Sequence, residues 1–227
     1  MSRSVSVSGD TVVVGAAHHS ENGDDSGAAY VYVRPDTGWA TTSNFDAKLT
    51  ASDGAAFDYF GNAVSIRGDT VVVGAHGDDD SGGYSGSAYV FARPATGWAD
   101  ATEDAKLTAG DGAGYDYFGA SVSVSGETVL VGAYGDDDNG TDSGSAYIYV
   151  RPDTGWVTTS TYDAKLTPSD GAEYHNFGYA VSVSGDTVLI GATGDDDRAN
   201  NSGSAYIYAR PDTGWATTDT FDAKLTA

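Results

Sequence analysis

The sequence of 227 residues contains no cysteine, a single methionine and no long apolar segment. Without cysteine there are no disulfide bonds, thiolate metal sites or thiol nucleophiles. No apolar run approaches the roughly 18 residues that a membrane-spanning helix needs. The first residues also lack the basic and apolar stretches of a signal peptide. These absences predict a protein that does not insert into a membrane.

Positive charge is also scarce, because 11 lysines and arginines face 33 acidic residues and leave a net charge of −22 at pH 7. A uniformly acidic surface repels phosphate backbones and anionic lipids, so we expect no nucleic-acid partner. Only four of the acidic residues are glutamate. Aspartate favours turns because its short carboxylate bonds nearby backbone amides. The charge is therefore predicted to lie in loops that connect short strands.

The sequence consists of four copies of one unit. A Thr-Gly-Trp step recurs with tryptophans at Trp39, Trp98, Trp156 and Trp215. An Asp-Ala-Lys-Leu-Thr segment recurs with lysines at Lys48, Lys106, Lys165 and Lys224. Self-similarity at a fixed period indicates a repeat architecture. We expect one domain over residues 1–227, with units near residues 1–60, 61–118, 119–177 and 178–227.

Within a unit the hydrophobic pattern has a period of two, which is typical of strands. Val5-Ser6-Val7-Ser8 alternates, and Gly9-Asp10 suits a two-residue type II′ hairpin turn. The apolar stretch at 11–14 predicts a second strand covered on both faces. A third strand is predicted over 29–33, and a fourth from Trp39 to about residue 50. Four antiparallel strands per unit predict an all-β fold, a β-propeller of four blades.

The repeats resemble a known family. Phe-Gly pairs at 60–61, 118–119 and 177–178 each precede a first strand, and a Gly-Ala step follows about 13 residues later. This pairing is similar to the FG-GAP repeat of integrin α-chain propellers and of many bacterial surface proteins. The chain departs from it where proline is expected, with Ala17, His76, Tyr134 and Thr193 instead. The first unit lacks its Phe-Gly. The calcium loop that family members often carry is reduced to a tight turn, so that site is not carried over.

The acidic residues concentrate in a different loop, between the second and third strands. Gly-Asp-Asp-Asp occurs there in units two, three and four, and the connectors between units add further acids such as Asp53, Asp111 and Asp170. Hard carboxylate oxygens on a loop suit calcium. The sequence therefore predicts calcium as a cofactor, with a solvated acidic loop as the alternative. The predicted ligands are Asp78, Asp80, Asp136, Asp138, Asp195 and Asp197.

Other motifs are interpreted as structural. Arg67-Gly68-Asp69 spells an adhesion tripeptide, but it occupies the tight turn that reads Ser-Gly-Asp or Ser-Gly-Glu in the other units. The four histidines do not follow the repeat, which favours loop residues over a transition-metal cluster. The tryptophans and the Tyr/Phe stripes keep strict register, which favours packing between blades over sugar stacking. The repeated lysines and arginines are predicted to pair with aspartates.

No catalytic residues are predicted, because the acids are spread over all units and no catalytic motif occurs. The resemblance implies a non-enzymatic binding or adhesion module, extracellular or on the cell surface, with a protein or glycan ligand on the acidic loops. The alternatives are an enzyme that acts on polysaccharide through loop carboxylates, and a structural spacer. We expect a monomer in which blades one and four pack together, with small serines near the axis. An eight-bladed ring made by two chains is the alternative.

Overall fold

The predicted all-β fold of four blades is confirmed. The computed structural model describes residues 4–226, so residues 1–3 and 227 at the ends of the predicted domain lie outside the description. Sixteen strands form four antiparallel sheets of four, and each sheet keeps its strands in chain order. Within residues 4–226 no helix is long and apolar enough to cross a membrane.

Each blade consists of two long central strands, a first strand that opens it and a short fourth strand that closes it. Blade 1 contains β1 (Val5–Ser8), β2 (Thr11–Ala16), β3 (Ala28–Val33) and β4 (Ala47–Leu49). Blade 2 contains β5 (Ala63–Arg67), β6 (Thr70–Ala75), β7 (Ser87–Ala92) and β8 (Ala105–Leu107). Blade 3 contains β9 (Ser121–Ser125), β10 (Thr128–Ala133), β11 (Ser145–Val150) and β12 (Ala164–Leu166). Blade 4 contains β13 (Phe177–Ser184), β14 (Thr187–Ala192), β15 (Ser204–Ala209) and β16 (Ala223–Thr226).

The first hairpin of each blade has the predicted geometry. Gly9 has a φ of 57°, and Gly68, Gly126 and Gly185 have nearly the same value. A positive φ at the first of two turn residues is what a type II′ hairpin needs, and only glycine adopts it without steric cost. These turns fix the register of the first two strands in every blade.

The predicted start of the fourth strand is wrong. Trp39 lies in a loop, and β4 spans only Ala47–Leu49. The residue before β4 explains its late start. Asp46 Oδ2 accepts a hydrogen bond of 2.7 Å from the Val33 amide at the end of β3. The aspartate thus takes the place of a strand partner, and its equivalents do the same in the other blades, namely Asp104, Asp163 and Asp222.

Neighbouring blades pack through their first strands, in the order β1, β5, β9 and β13. Each of these is an edge strand, whose outward N–H groups have no strand partner. Serines of the preceding blade accept hydrogen bonds from these groups. Three such bonds join blades 1 and 2, to Ser4, Ser6 and Ser8; one joins blades 2 and 3, to Ser65; two join blades 3 and 4, to Ser123 and Ser125. The small residues predicted at the axis therefore bond one blade to the next.

The Phe-Gly and Gly-Ala motifs meet across each junction. A Cβ atom placed on Gly74 would lie 2.0 Å from the Gly119 carbonyl oxygen of the next blade. Gly15 and Gly132 are in the same contact with Gly61 and Gly178. Because any larger residue would overlap a backbone atom, glycine is required at this position for the blades to approach.

The prediction that blades 1 and 4 pack against each other is wrong. Among the described residues, β1 and β13 do not form the extensive contacts that join the other first strands. The valines of β1 are exposed, and so is Leu189 of β14. The continuous apolar pattern of the second strands is fully buried only in β6 and β10. The four blades therefore form an open arc with two uncovered ends.

Candidate functional site

One face of the arc carries the loops between second and third strands together with the connectors between blades; we call it the connector face. The loops are residues 17–27, 76–86, 134–144 and 193–203, and the connectors are 51–62, 109–120 and 168–176. Backbone hydrogen bonds hold each connector against the loop of the preceding blade. The Tyr115 amide, for example, donates to the Gly83 carbonyl at 2.9 Å. Chain segments of neighbouring blades are therefore fixed against each other on this face.

A lysine lies at the centre of the acidic residues in blade 2. Lys106 Nζ is 3.0 Å from Asp78 Oδ2, 2.7 Å from Asp53 Oδ2 and 2.5 Å from Asp80 Oδ2. Tyr89 completes the group, because its hydroxyl donates to Asp78 Oδ2 at 2.8 Å. These residues come from a connector, a loop and two strands. The group therefore joins every part of the blade that reaches this face.

The same group recurs in blades 3 and 4. Lys165 contacts Asp111, Asp136 and Asp138, and Lys224 contacts Asp170, Asp195 and Asp197, all at 2.5–3.0 Å. The sequence predicted that these lysines pair with aspartates, and this is confirmed. Sequence reasoning missed the tyrosine of each group, because the stripe of aromatic residues was interpreted only as packing.

Burial and charge oppose each other in these groups. Burial alone would lower the pKa of Lys106, but its bonds to Asp53 and Asp80 and the charge of Asp78 raise it above the ordinary value. Burial would likewise raise the pKa of Asp195, whereas the bonds from Lys224 and Tyr206 lower it to about 2. The pKa values of Lys165 and Lys224 are raised in the same way, so bonds to carboxylates hold each of the three lysines in its charged form.

Blade 1 lacks this group. His19 and Glu21 occupy the positions of the first and third aspartates, and Lys48 pairs with Glu21. The His19 ring contacts the same carboxylate, with Nε2 3.1 Å from Oε2. Since no connector precedes blade 1 in the described chain, no carboxylate from a connector reaches Lys48. This pair is more exposed than the groups of the other blades.

Clusters of acidic residues on this face have the spacing that a metal ion can bridge. Asp53, Asp78 and Asp80 each place one oxygen within 4.8 Å of the others, and the equivalent residues of blade 4 do the same. The lysine ammonium already bonds to the same three carboxylates. A resident calcium ion does not fit between them unless the lysine moves away. Calcium binding by the six predicted aspartates therefore stays a prediction, and it requires the lysine side chain to move away.

Two connector carboxylates, Asp58 and Asp116, are buried and form no ion pair with a lysine, arginine or histidine among residues 4–226. Burial raises the pKa of Asp58 to about 6, and the negative charge of Asp78 adds to this, although the Ala55 amide donates to Asp58 at 2.7 Å. Burial and the charge of Asp136 raise the pKa of Asp116 to about 6 as well. His175 stands at the equivalent position in the third connector. The pKa of each of these two carboxyl groups therefore lies above the ordinary value for aspartate.

Six aromatic rings form a continuous row across the face, from His18 in blade 1 to Tyr179 in blade 4. Neighbouring centroids are 4.9–6.1 Å apart, and Tyr59 on His76 and Tyr117 on Tyr134 are stacked. His76 and Tyr134 occupy the position where FG-GAP repeats have proline. The substitutions noted in the sequence thus supply two rings of the row.

The backbone of the connector face is strained. All ten non-glycine residues with positive φ among residues 4–226 lie in its loops and connectors. Such a conformation is uncommon, particularly for aromatic residues, and costs on the order of 1–3 kcal/mol each. Six of the ten are aromatic, namely Phe57, Tyr59, Tyr84, Tyr115, Tyr117 and Tyr174. Phe57, Tyr115 and Tyr174 are about half exposed or more, so the strain places rings in solvent.

Rings and carboxylates meet in a groove of about 560 Å³ on blade 3. Tyr115, Tyr117 and Tyr134 form its aromatic part, and Asp137 and Asp142 its acidic part. The Asp142 amide donates to Asp137 Oδ1 at 2.8 Å, which orients that carboxylate. No lysine contacts either carboxylate among the described residues. The groove therefore offers aromatic faces next to unneutralised negative charge.

The remaining sequence motifs lie away from this groove. Arg67-Gly68-Asp69 forms the hairpin between β5 and β6, and Asp69 pairs with Arg93 at 3.5 Å. His18 pairs with Asp25, and His175 lies 3.7 Å from Asp195. The histidines belong to neither of the described carboxylate groups that could hold a metal ion. These observations agree with the structural interpretation of both motifs.

Four-stranded sheets that pack radially through their first strands define the class of protein, a β-propeller array. A family model described as the FG-GAP repeat matches residues 2–32, 44–91, 101–149 and 161–208. The chain belongs to the FG-GAP repeat family, as the sequence motifs predicted. No curated protein is similar enough in sequence to count as a relative.

Solved structures show the same fold. The WD40 β-propeller domain of Doa1 is 10% identical with a TM-score of 0.50, and the alignment covers 98% of this chain and 53% of that one. The computationally designed Ika8 protein is 14% identical with a TM-score of 0.50, and the alignment covers 98% of this chain and 61% of that one. The chain thus spans less than two thirds of either structure.

The lysine groups generate a prediction for stability. Lys165→Met leaves Asp136 buried without its cation, and breaking a buried ion pair in this way should lower the free energy of unfolding by about 3–5 kcal/mol. Lys48→Met is the matched control; its partner Glu21 is exposed, so the loss should stay below about 1 kcal/mol. Urea unfolding measures both. Equal losses in the two variants would show that the buried Lys165 group stabilises the protein no more than the exposed Lys48 pair does.

The buried carboxylate Asp116 generates a prediction for pH dependence. The folded state keeps its proton up to about pH 6, whereas the unfolded state releases it near pH 4. The contribution of Asp116 to the free energy of unfolding should therefore fall as the pH rises from 4 to 6. Asp116→Asn removes that fall and should stabilise the protein at pH 7 by on the order of 2 kcal/mol.

Asp111→Asn is the opposite control, because the pKa of Asp111 is lowered by its bond with Lys165 despite its burial. This variant should lose stability at pH 7. Denaturant midpoints between pH 4 and 7 give the difference between each variant and the parent. If Asp116→Asn and the parent follow parallel profiles, the buried carboxyl is not the titrating group.

Proposed function

We propose that the protein is a non-enzymatic binding module whose connector face holds a positively charged segment of a partner protein. The single observation that carries this proposal is the concentration of strained, exposed aromatic residues and free carboxylates on one face. Residues in costly backbone conformations cluster at ligand sites, where the surrounding structure holds them in place. An extracellular or surface location accords with the family and forms part of the proposal.

The chemistry of the groove selects the ligand class. Tyrosine faces attract lysine and arginine side chains, and Asp137 and Asp142 can bond them directly. The net charge of −22 steers cations toward the whole molecule and repels anions. The groove lies beside the aromatic row, which continues onto the neighbouring blades. A basic peptide segment therefore finds both a docking groove and a surface along which to extend.

The same geometry supports a binding module over a polysaccharide-cleaving enzyme. The central carboxylates of blades 2, 3 and 4 are each bonded to a lysine and a tyrosine, so they serve the fold. Asp58 and Asp116 are buried under the loops, where a substrate does not reach them. A glycan ligand without cleavage is a second outcome that the exposed tyrosines would allow.

Binding tests the proposal directly. A fluorescent oligoarginine peptide should bind the protein, and raising the salt concentration should weaken this binding because charges dominate it. Tyr115→Ala and Asp142→Asn should each weaken binding by about tenfold, equivalent to about 1.4 kcal/mol. Asparagine tolerates the positive φ at residue 142, so the loop should keep its shape.

Asp69→Ala is the matched control, because it removes an exposed carboxylate in the Arg-Gly-Asp turn, outside the groove. It should leave peptide binding and any cell adhesion unchanged. A neutral glycan array provides the competing outcome. Glycan binding that is insensitive to salt, with no peptide binding, would assign the face to carbohydrate and overturn the cationic ligand.

Calcium dependence is a separate part of the proposal. If the predicted aspartates bind calcium, millimolar calcium should raise the melting temperature, because the native state alone binds the ion. The rise should be larger in Lys106→Met, in which Asp53, Asp78 and Asp80 lose the ammonium that holds them. Magnesium should have less effect, since it demands a tighter octahedral site. Equal responses to sodium, magnesium and calcium at matched ionic strength would refute calcium binding.

A further inference from the structure

The outer face of blade 1 is an unpartnered copy of a surface that is buried elsewhere. Val5 and Val7 of β1 are 68% and 66% exposed, whereas the equivalent Val64 and Ile66 of β5 are 6% and 4% exposed. In blade 2 these side chains pack against Val13 of the preceding blade. The valines of blade 1 thus have the side chains and the strand register of a junction, but no described blade covers them.

The outer face of blade 4 is the complementary surface. Leu189 of β14 is 39% exposed, whereas its equivalent Leu130 is fully buried against Val183 and Val188 of the next blade. Leu225 of β16 is 52% exposed, and its equivalent in blade 3 is buried. This face therefore has the apolar residues that in blades 1 to 3 receive the first strand of the following blade.

The polar half of the junction is present as well. Ser182 and Ser184 of β13 are exposed, and they align with Ser123 and Ser125, which accept hydrogen bonds from the next blade. A Cβ atom on Gly191 would lie no closer than 3.7 Å to any atom, although the equivalent Gly132 is in contact with a carbonyl oxygen of the following blade. An open groove next to Gly191 marks the place that this backbone would occupy.

We propose that the outer face of blade 4 binds the outer face of blade 1 in a second copy of the chain, so that two arcs close into an eight-bladed ring. The contact is head to tail, and it continues the three junctions already present within each copy. In the new junction, Val7 and Gly9 of one copy donate their backbone N–H groups to Ser182 and Ser184 of the other. Two such junctions form at once, which closes the ring.

Charge and size favour a second copy as the occupant. The strands β1, β2, β13 and β14 contain no charged residue, although the whole chain carries a net charge of −22. Two acidic molecules can therefore approach through these faces. Eight blades lie within the usual range for propellers.

The mass in solution tests the ring. The chain has a mass of 23.2 kDa, and light scattering with sedimentation should give twice that value at micromolar concentration. Raising the salt concentration should strengthen the dimer, because it screens the repulsion between two acidic copies. A monomer at every concentration and salt level would overturn the proposal. Masses that keep increasing with concentration would also overturn it, since they indicate an open filament.

Variants at the two faces identify the contact. Val7→Asp and Leu189→Asp change side chains that are exposed in the single copy, so each variant should fold as the parent does. In a ring of two identical variant chains, each of the two junctions would bury one aspartate. The dissociation constant of the dimer should therefore rise by at least about 100-fold. Gly191→Ala should act in the same way by filling the groove. Val157→Asp is the matched control, at a residue that is 50% exposed away from both faces.

Mixing the first two variants distinguishes the head-to-tail ring from other dimers. In a mixed pair, one junction joins the unaltered blade 4 of Val7→Asp to the unaltered blade 1 of Leu189→Asp. The other junction brings both aspartates together and should stay open. The mixture should therefore give dimers held by one unaltered junction, and these should be tighter than the dimers of either variant alone, which has no unaltered junction. If the mixture is no tighter, or if one of the two variants dimerises like the parent, the two faces do not bind each other.

Discussion

The ammonium group of one lysine in each of blades 2, 3 and 4 holds the connector face together. In blades 2, 3 and 4 it bonds to a connector aspartate and two loop aspartates, while a tyrosine of the third strand bonds to two of the same carboxylates. Without that positive charge, three carboxylates within about 5 Å would repel one another strongly. That repulsion would oppose the backbone hydrogen bonds between connector and loop, and the strained aromatic residues on these segments would lose part of their support.

The fold was predictable because it depends on local and repeated signals. Period-two strands, the Gly9-Asp10 turn and the recurrence of Lys48 and Trp39 identified four blades of four strands. The early start assigned to the fourth strand failed for a different reason. An aspartate side chain such as that of Asp46 can accept the hydrogen bond that a backbone carbonyl of a neighbouring strand would otherwise accept. A hydrophobic pattern does not reveal this.

The candidate site was less accessible from the sequence. Its acidic residues were evident in the sequence, but their neutralisation by Lys106 depends on residues that are 26 to 53 positions away in the chain. The positive φ of Tyr115 and Tyr117 has no sequence signal, because glycine or asparagine is the residue expected there. The open arc was missed because every unit has the same faces. A sequence of equivalent units does not show whether the last face meets the first one.

The three junctions inside the arc are not joined by the same hydrogen bonds. Arg67 occupies the position at which Ser8 and Ser125 bond to the following blade, so a single serine bond, from Val124 to Ser65, spans blades 2 and 3. The other two junctions have three and two such bonds. The Asn62 amide compensates in the middle junction, because it donates to the Gly119 and Ala120 carbonyls of blade 3 at 3.3 and 3.1 Å. The number of serine bonds therefore does not single out one junction as the place where the array would part first.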